Sequence, residues 1–363
     1  MLEQEQQALA ELHRAAQARL GLILAALALS QWSTVAPAKP LATGAAWIEY
    51  MVRAITVARS WSTDLSIAYY QLSRSLDIGY SFGAPLEGSL ELDDMRNTFR
   101  SMVEFIMDLE DSSGLYEGDD DAQWLMSEMG SMNSKERELI PPAESLADLL
   151  NELDGSNSGP GSVSYDDFQW PSDMTEDQVM DSFGSILRDK ALELQQKRYA
   201  QSRDDPTLDL FDEFRKSGSS GAGVVDFAVL SGGRNAIDRA TRSDRKIKLV
   251  ARRTSTNPCA FCAMLASRGW VYVNVDQAGV PTDDKGADDI RKYHFNCHCT
   301  ADVRWVTAAE ASNLNKYLGD KWREVVQRDS EDRGYTKSFG PDLNAFRRWM
   351  RKEHPNGFTE FSK

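Results

Sequence analysis

The sequence predicts a mainly α protein: an N-terminal helical hairpin, an acidic helical insertion, and a small α+β C-terminal domain stapled by a Cys/His cluster. Three observations lead there. Two long runs of strong helix formers open the chain, with apolar residues recurring every three or four positions. An acidic stretch follows and contains a Gly/Ser-rich linker. All four cysteines then fall between Cys259 and Cys299, in the pattern C-x2-C-x31-H-x2-C-H-C.

At 363 residues, 41% hydrophobic and 9% aromatic, the chain is long enough for two or three domains and too apolar to stay disordered. Its net charge of −15 is unevenly divided: residues 1–232 sum to −22 and residues 233–363 to +7, so the two parts face different partners. Five segments are expected: a hairpin over 1–85, an acidic insertion over 86–172, linking helices and a Gly-rich hinge over 173–232, a Cys/His domain over 233–310 and a helical tail over 311–363.

Residues 2–31 read as one helix, rich in Ala, Leu, Gln and Glu and without proline, ending before Pro37 and Pro40. Its most apolar run, Leu20 to Leu29, is too short to span a bilayer, and the acidic start lacks the basic region of a secretory signal, so no membrane partner is expected. A second helix over about 44–76 carries Trp47, Met51, Ile55, Ala58, Trp61, Leu65, Tyr69 and Leu72 on one face. Matched stripes on two such helices predict an antiparallel pair.

Between Pro85 and Pro171 more than twenty acidic side chains stand against Arg96, Arg100, Lys135 and Arg137. Amphipathic runs at 95–109 and 143–153 predict helices, and 155–162 reads as a flexible linker. The block is either a solvated insertion or a docking surface for a basic partner. Asp119-Asp-Asp121 lacks the spacing of a calcium loop. Thr175-Glu-Asp-Gln178 is a capping box opening a helix toward Arg203, Asp205-Pro206 breaks it, and Gly218, Gly221 and Gly223 mark a hinge. Arg234, Arg239, Arg242, Arg245, Lys246, Lys248, Arg252 and Arg253 then form a basic run, either a phosphate-holding surface or a solvated face. Residues 271–275 alternate as a short strand, and 308–350 are helical, anchored by Trp322, Val326, Leu343, Phe346 and Trp349.

Soft thiolates and imidazoles gathered in one region suit tetrahedral zinc. The ligands expected are Cys259, Cys262, Cys299 and either Cys297 or His294, pinning two arms across a long excursion; two disulfides are the alternative use of the same thiols.

The region from Gly232 onward resembles the MuF-like minor head proteins of tailed phages, in the form carried by actinobacteriophages. The resemblance rests on Ser231-Gly-Gly-Arg234, Cys259-Ala-Phe-Cys262-Ala-Met-Leu-Ala-Ser-Arg-Gly269, Tyr293-His-Phe-Asn-Cys-His-Cys299 and Phe346-Arg-Arg348, with a weaker likeness over the first ninety residues. It implies a low-copy structural protein in the capsid interior, reached from the host cytoplasm during assembly, with the portal protein, other head proteins and phage DNA as partners. Cys259, Cys262, His294, Cys297 and Cys299 fill the places of the family's Cys/His motif, whereas His298 is not among them. Such proteins are also labelled capsid maturation protease. The enzyme these residues could form is a cysteine protease with Cys262 or Cys259 as nucleophile and His294 or His298 as base. A thiol flanked by other thiols at metal spacing favours the structural role, and a zinc nuclease is weaker still because the thiols suffice to close the metal's coordination.

Overall fold

In the computed structural model, residues 2–36, 39–79, 92–109, part of 181–196, 210–255, 258–272, 297–333, 339–355 and 357–358 are described. The expected elements between 110 and 180, the break at Asp205-Pro206, His294 and residues 273–275 lie outside them. The described residues are mostly helical, with one small sheet near the C-terminus.

Helices α1 (Leu2–Trp32) and α2 (Pro40–Ile78) form the expected hairpin. Its antiparallel sense follows from Gln6 bonding to the Ser73 carbonyl, Gln17 to the Ser62 carbonyl, and the Trp47 indole to the Ala28 carbonyl. Pro40 opens α2, where its missing N–H costs nothing. Gly79 closes it at φ 80°, donating its amide to the Ser75 carbonyl. α3 (Leu92–Asp108) lies across both helices, burying Met95, Phe99, Met102, Val103 and Ile106. Arg19 of α1 donates to the carbonyls of Ile106 and Leu109, satisfying groups that the end of α3 leaves open.

The third long member of the bundle is α4 (Leu210–Ser243). It runs antiparallel to α1 and parallel to α2: Trp32 bonds to the Phe214 carbonyl at one end, and Tyr70 bonds to Asp244 at the other. Here the structure corrects the expected hinge. Gly218, Gly221 and Gly223 all lie inside α4, and the helix passes unbroken through Gly232-Gly233, the expected limit between two segments. The physical reason is close approach between helices. A Cβ on Gly218 would stand 2.5 Å from the Trp32 ring, one on Gly221 2.9 Å from Trp47, and one on Gly232 2.5 Å from the backbone oxygen of Arg59. Tertiary packing outweighs the roughly 1 kcal/mol that each glycine costs a helix.

A run of polar contacts threads the middle of this bundle. The His13 ring bonds to Ser66 Oγ at 2.9 Å and stacks on Tyr69, Ser62 Oγ donates to Gln17 at 2.6 Å, and the Gly233 amide donates to Ser62 Oγ. α1 is long and apolar enough to pass as a membrane span, yet 83% of that window is buried against its neighbours in the bundle.

Strands β1 (Leu249–Arg253) and β2 (Thr300–Arg304) pair antiparallel, with Leu249 opposite Arg304 and Arg253 opposite Thr300. The expected strand at 271–275 is represented by Tyr272, which bridges Val250. Neither β1 nor β2 was expected, because the arginines of β1 read as part of a basic surface. One face of the ribbon carries Arg253, Asp302 and Arg304 toward the bundle. Arg304 pairs with Asp77 and Glu3, and Arg253 with Asp302. The other face, with Val250, Arg252, Ala301 and Val303, meets α5 (Ala260–Ala266). α6 (Asn313–Arg333) and α7 (Phe339–Glu353) cover α5 and enclose a second small core of Ala263, Ala266, Leu318, Phe346, Met350 and Phe358.

Two predictions follow from this packing. Gly232→Ala sets a methyl group against a backbone oxygen that cannot rotate away, and should cost about 1–3 kcal/mol, read as a lower urea midpoint at unchanged slope. Burial, with the Arg253 and Arg14 charges nearby, pushes the His13 pKa down to about 3 from an ordinary 6.5. The unfolded chain therefore takes up a proton between these values while the folded one does not. Stability contributed by neutral His13 is complete above pH 6.5 and falls as pH drops toward 3, by up to about 1.4 kcal/mol per pH unit. His13→Gln should flatten the dependence of melting temperature on pH between 7 and 4; an unchanged slope would remove His13 as its source.

Candidate metal centre

Antiparallel pairing puts the chain leaving β1 and the chain entering β2 at the same end of the ribbon. The first carries Cys259 and Cys262, the second Cys297 and Cys299. Strand register therefore does what the 31-residue spacing alone could not: it sets both arms side by side. Cys259 is the N-cap of α5, its Sγ accepting the Cys262 amide at 3.3 Å, which turns Cys262 one helical turn inward.

The Sγ atoms of Cys262, Cys297 and Cys299 all lie within 4.8 Å of one another and are buried, with Cys262 and Cys297 3.4 Å apart. Cys259 is half-buried next to Cys262, whose backbone amide it accepts, and its sulfur is not one of this group of three. All four are free thiols. Sulfurs bound at about 2.3 Å around a tetrahedral ion stand roughly 3.8 Å apart, so the spacing suits a metal, while a disulfide requires about 2.05 Å. The group can hold a metal ion. Of the two candidates for the fourth position, Cys297 is within the cluster, whereas His294 lies outside the described residues.

Cys262 is pushed up by hydrogen bonding with Cys259 and Cys297, and Cys299 by hydrogen bonding with Cys262 and Cys297. Burial works against a thiolate at Cys297 too, but the thiols of Cys262 and Cys299 and the charges of Arg252 and Arg234 outweigh it and bring its pKa well down. A metal binds deprotonated thiols, so its binding would release their protons.

Two arginines expected at the surface are built into this centre. Arg252 is fully buried and donates to Cys262 Sγ at 3.2 Å and Cys297 Sγ at 3.5 Å. Arg234, 5% exposed, reaches across from α4 and donates to the carbonyls of Cys297 and Cys299, holding the second arm in place. Arg253, 7% exposed, points to the opposite face and pairs with Asp302 at 2.6 Å. These three are removed from the expected contact surface because burying a guanidinium requires the partners they have found. Arg242, Arg245, Lys246 and Lys248 are exposed and Arg239 half-buried, so they remain on that face. Ser231-Gly-Gly-Arg234 now has a physical reading: Ser231 accepts from Arg59, the glycines admit α2, and Arg234 clamps the cysteine arm.

His298 turns Nε2 to Asp226, 3.1 Å away on α4, and among the described residues no cysteine sulfur hydrogen-bonds an imidazole. Asp226 was not anticipated from sequence; the only signal was a carboxylate inside an apolar run, Val224 to Leu230. A small cavity nearby, lined by His13, Gln17, Ser66, Arg234, His298 and Thr300, has room for about one water molecule.

Arg252→Met keeps much of the volume and removes the charge beside the sulfurs. Metal affinity, read by competition against a chromogenic chelator, should fall about 10–100-fold. Unchanged affinity would make Arg252 a packing residue only.

Comparison with known proteins adds one finding. The family model described as VG15 protein, a viral and phage family, matches residues 185–325, a span that includes α4, both strands, α5 and all four cysteines. No curated protein and no solved structure matches the chain. The similarity supports a phage protein.

Proposed function

We propose that the chain is a phage minor capsid, or head morphogenesis, protein: a structural component associated with the portal inside the head, assisting capsid assembly and DNA packaging or delivery. One observation carries the reading. Three buried thiols of a region similar to a phage family, those of Cys262, Cys297 and Cys299, lie together with Cys259 at their edge, with Arg252 on the sulfurs and Arg234 on the backbone of the second arm. Such a shell is built to hold two chain segments together. The metal we assign to it is zinc, bound by Cys259, Cys262, Cys297 and Cys299. Four thiolates around Zn²⁺ carry two net negative charges, which the two buried guanidinium groups balance.

The partners proposed are the portal protein and other head proteins, met in the host cytoplasm during assembly and in the capsid interior afterwards. Arg242, Arg245, Lys246 and Lys248, with Arg239 at their edge, are the contact surface for the portal or for DNA. A cysteine protease using Cys262 or Cys259 with His294 is the competing reading, and one experiment separates the two. Cys262→Ala should lose bound zinc in native mass spectrometry and melt at a markedly lower temperature, because metal binding and folding are coupled. It should also fail to enter DNA-filled heads. A variant that keeps wild-type melting and is packaged normally, but leaves head proteins uncleaved, would overturn the structural role in favour of catalysis.

A further inference from the structure

The solvent face of α7 was not among the surfaces singled out from sequence. Phe346 and Met350 face the small C-terminal core, and the residues between and after them, Arg347, Arg348, Arg351 and Lys352, are all exposed. Four cations thus share one side of a helix over six positions. Two have acidic neighbours: Arg348 pairs with Asp329 at 3.0 Å and Lys352 with Glu353 at 3.0 Å. Arg347 bonds to the neutral Asn344, and among the described residues neither Arg347 nor Arg351 has an ion-pair partner.

The adjacent helix makes the contrast. On α6, Lys321 pairs with Glu324, Arg323 with Asp320 and Arg328 with Glu324, so these cations are answered within the helix, and Lys316 pairs with Glu310 just before it. That is how an ordinary solvated face is arranged. Stabilisation of the helix end accounts for part of α7, because Arg351 and Lys352 lie in its last turn. It does not account for Arg347 and Arg348, a turn earlier, since the end effect fades within one turn.

We propose that this face binds the phosphate backbone of nucleic acid. Three of its four cations are arginines, whose planar fork matches phosphate oxygens two at a time. Protein-docking surfaces carry an apolar or aromatic centre. Among the described residues the exposed large hydrophobics are Leu12, Met107, Leu192 and Val271, none of them on α7. Phosphate contact needs no such centre. The chain's overall −15 does not prevent it, because salt at about 0.1 M screens charges beyond roughly 10 Å and leaves the local face to act.

The proposal deepens the head-component reading by naming a partner for one surface, and rests on it only for its biological setting. The test uses purified full-length protein and a fluorescent, short, mixed-sequence DNA duplex, with anisotropy followed as salt rises. Wild type should bind with affinity falling steeply with salt. Arg347→Gln combined with Arg351→Gln should bind at least tenfold more weakly, with the slope of log affinity against log salt reduced by about 2. Lys321→Gln combined with Arg323→Gln, an equal charge loss on α6, should bind as wild type does. Unaltered circular dichroism and melting certify that both variants fold. The proposal is overturned if wild type ignores DNA, if the α7 and α6 variants weaken binding equally, or if polyglutamate displaces DNA as readily as unlabelled duplex. Exclusion of the chain from heads would instead defeat the functional reading and leave α7 untouched.

Discussion

Everything at the C-terminal end depends on the antiparallel register of two five-residue strands. Pairing Arg253 with Thr300 fixes which residues emerge together at the ribbon's end, and those residues are the two cysteine arms. A two-stranded ribbon is marginal in water by itself. This one is held on both faces: α5 and the sulfur cluster cover one, and buried ion pairs to the helical bundle cover the other. A slip of one residue would turn Arg252 away from the sulfurs and bring Arg253 to them.

The buried charges explain why bundle and cysteine region share a continuous core. Arg304 is completed by Asp77 of α2 and Glu3 of α1; Arg253 reaches Gln7. Asp244, at the end of α4, accepts from Arg74 at 2.7 Å, Trp305 at 2.7 Å, Tyr70 and the Lys246 amide. Burial pushes its carboxyl up, but the Arg74 guanidinium, the Lys246 amide and the Trp305 indole hold it below the ordinary carboxylate range. Removing one member of such a pair strands the other in a poorly solvated site, at a cost of about 3–5 kcal/mol. Residues from 233 onward therefore draw on the N-terminal helices for charge compensation, and the small domain read from the sequence is structurally one with the hairpin.

Helix packing obeys a related economy of space. Glycines along α4 let the Trp32 and Trp47 rings and the backbone of α2 come close, which brings Arg234 within reach of the cysteine arm. The same close contact places Asp226 against Gly21, where a Cβ would collide with Oδ1 at 2.2 Å, and beside His298.

The residue pattern alone determined the mainly helical class, the hairpin of α1 and α2, the amphipathic α3 and the gathering of thiols. Helical periodicity and soft-ligand chemistry are local properties, written into spacing and side-chain type. Tertiary structure decided the remainder. Glycine spacing reads alike whether the chain bends or another helix approaches, so α4 looked like a hinge until Trp32, Trp47 and Arg59 were seen against it. An arginine run reads as surface until partners appear, and the partners of Arg234, Arg252 and Arg253 lie 63, 10 and 49 residues away in sequence. Burial of charge is settled by what folds around it, and no local pattern records that.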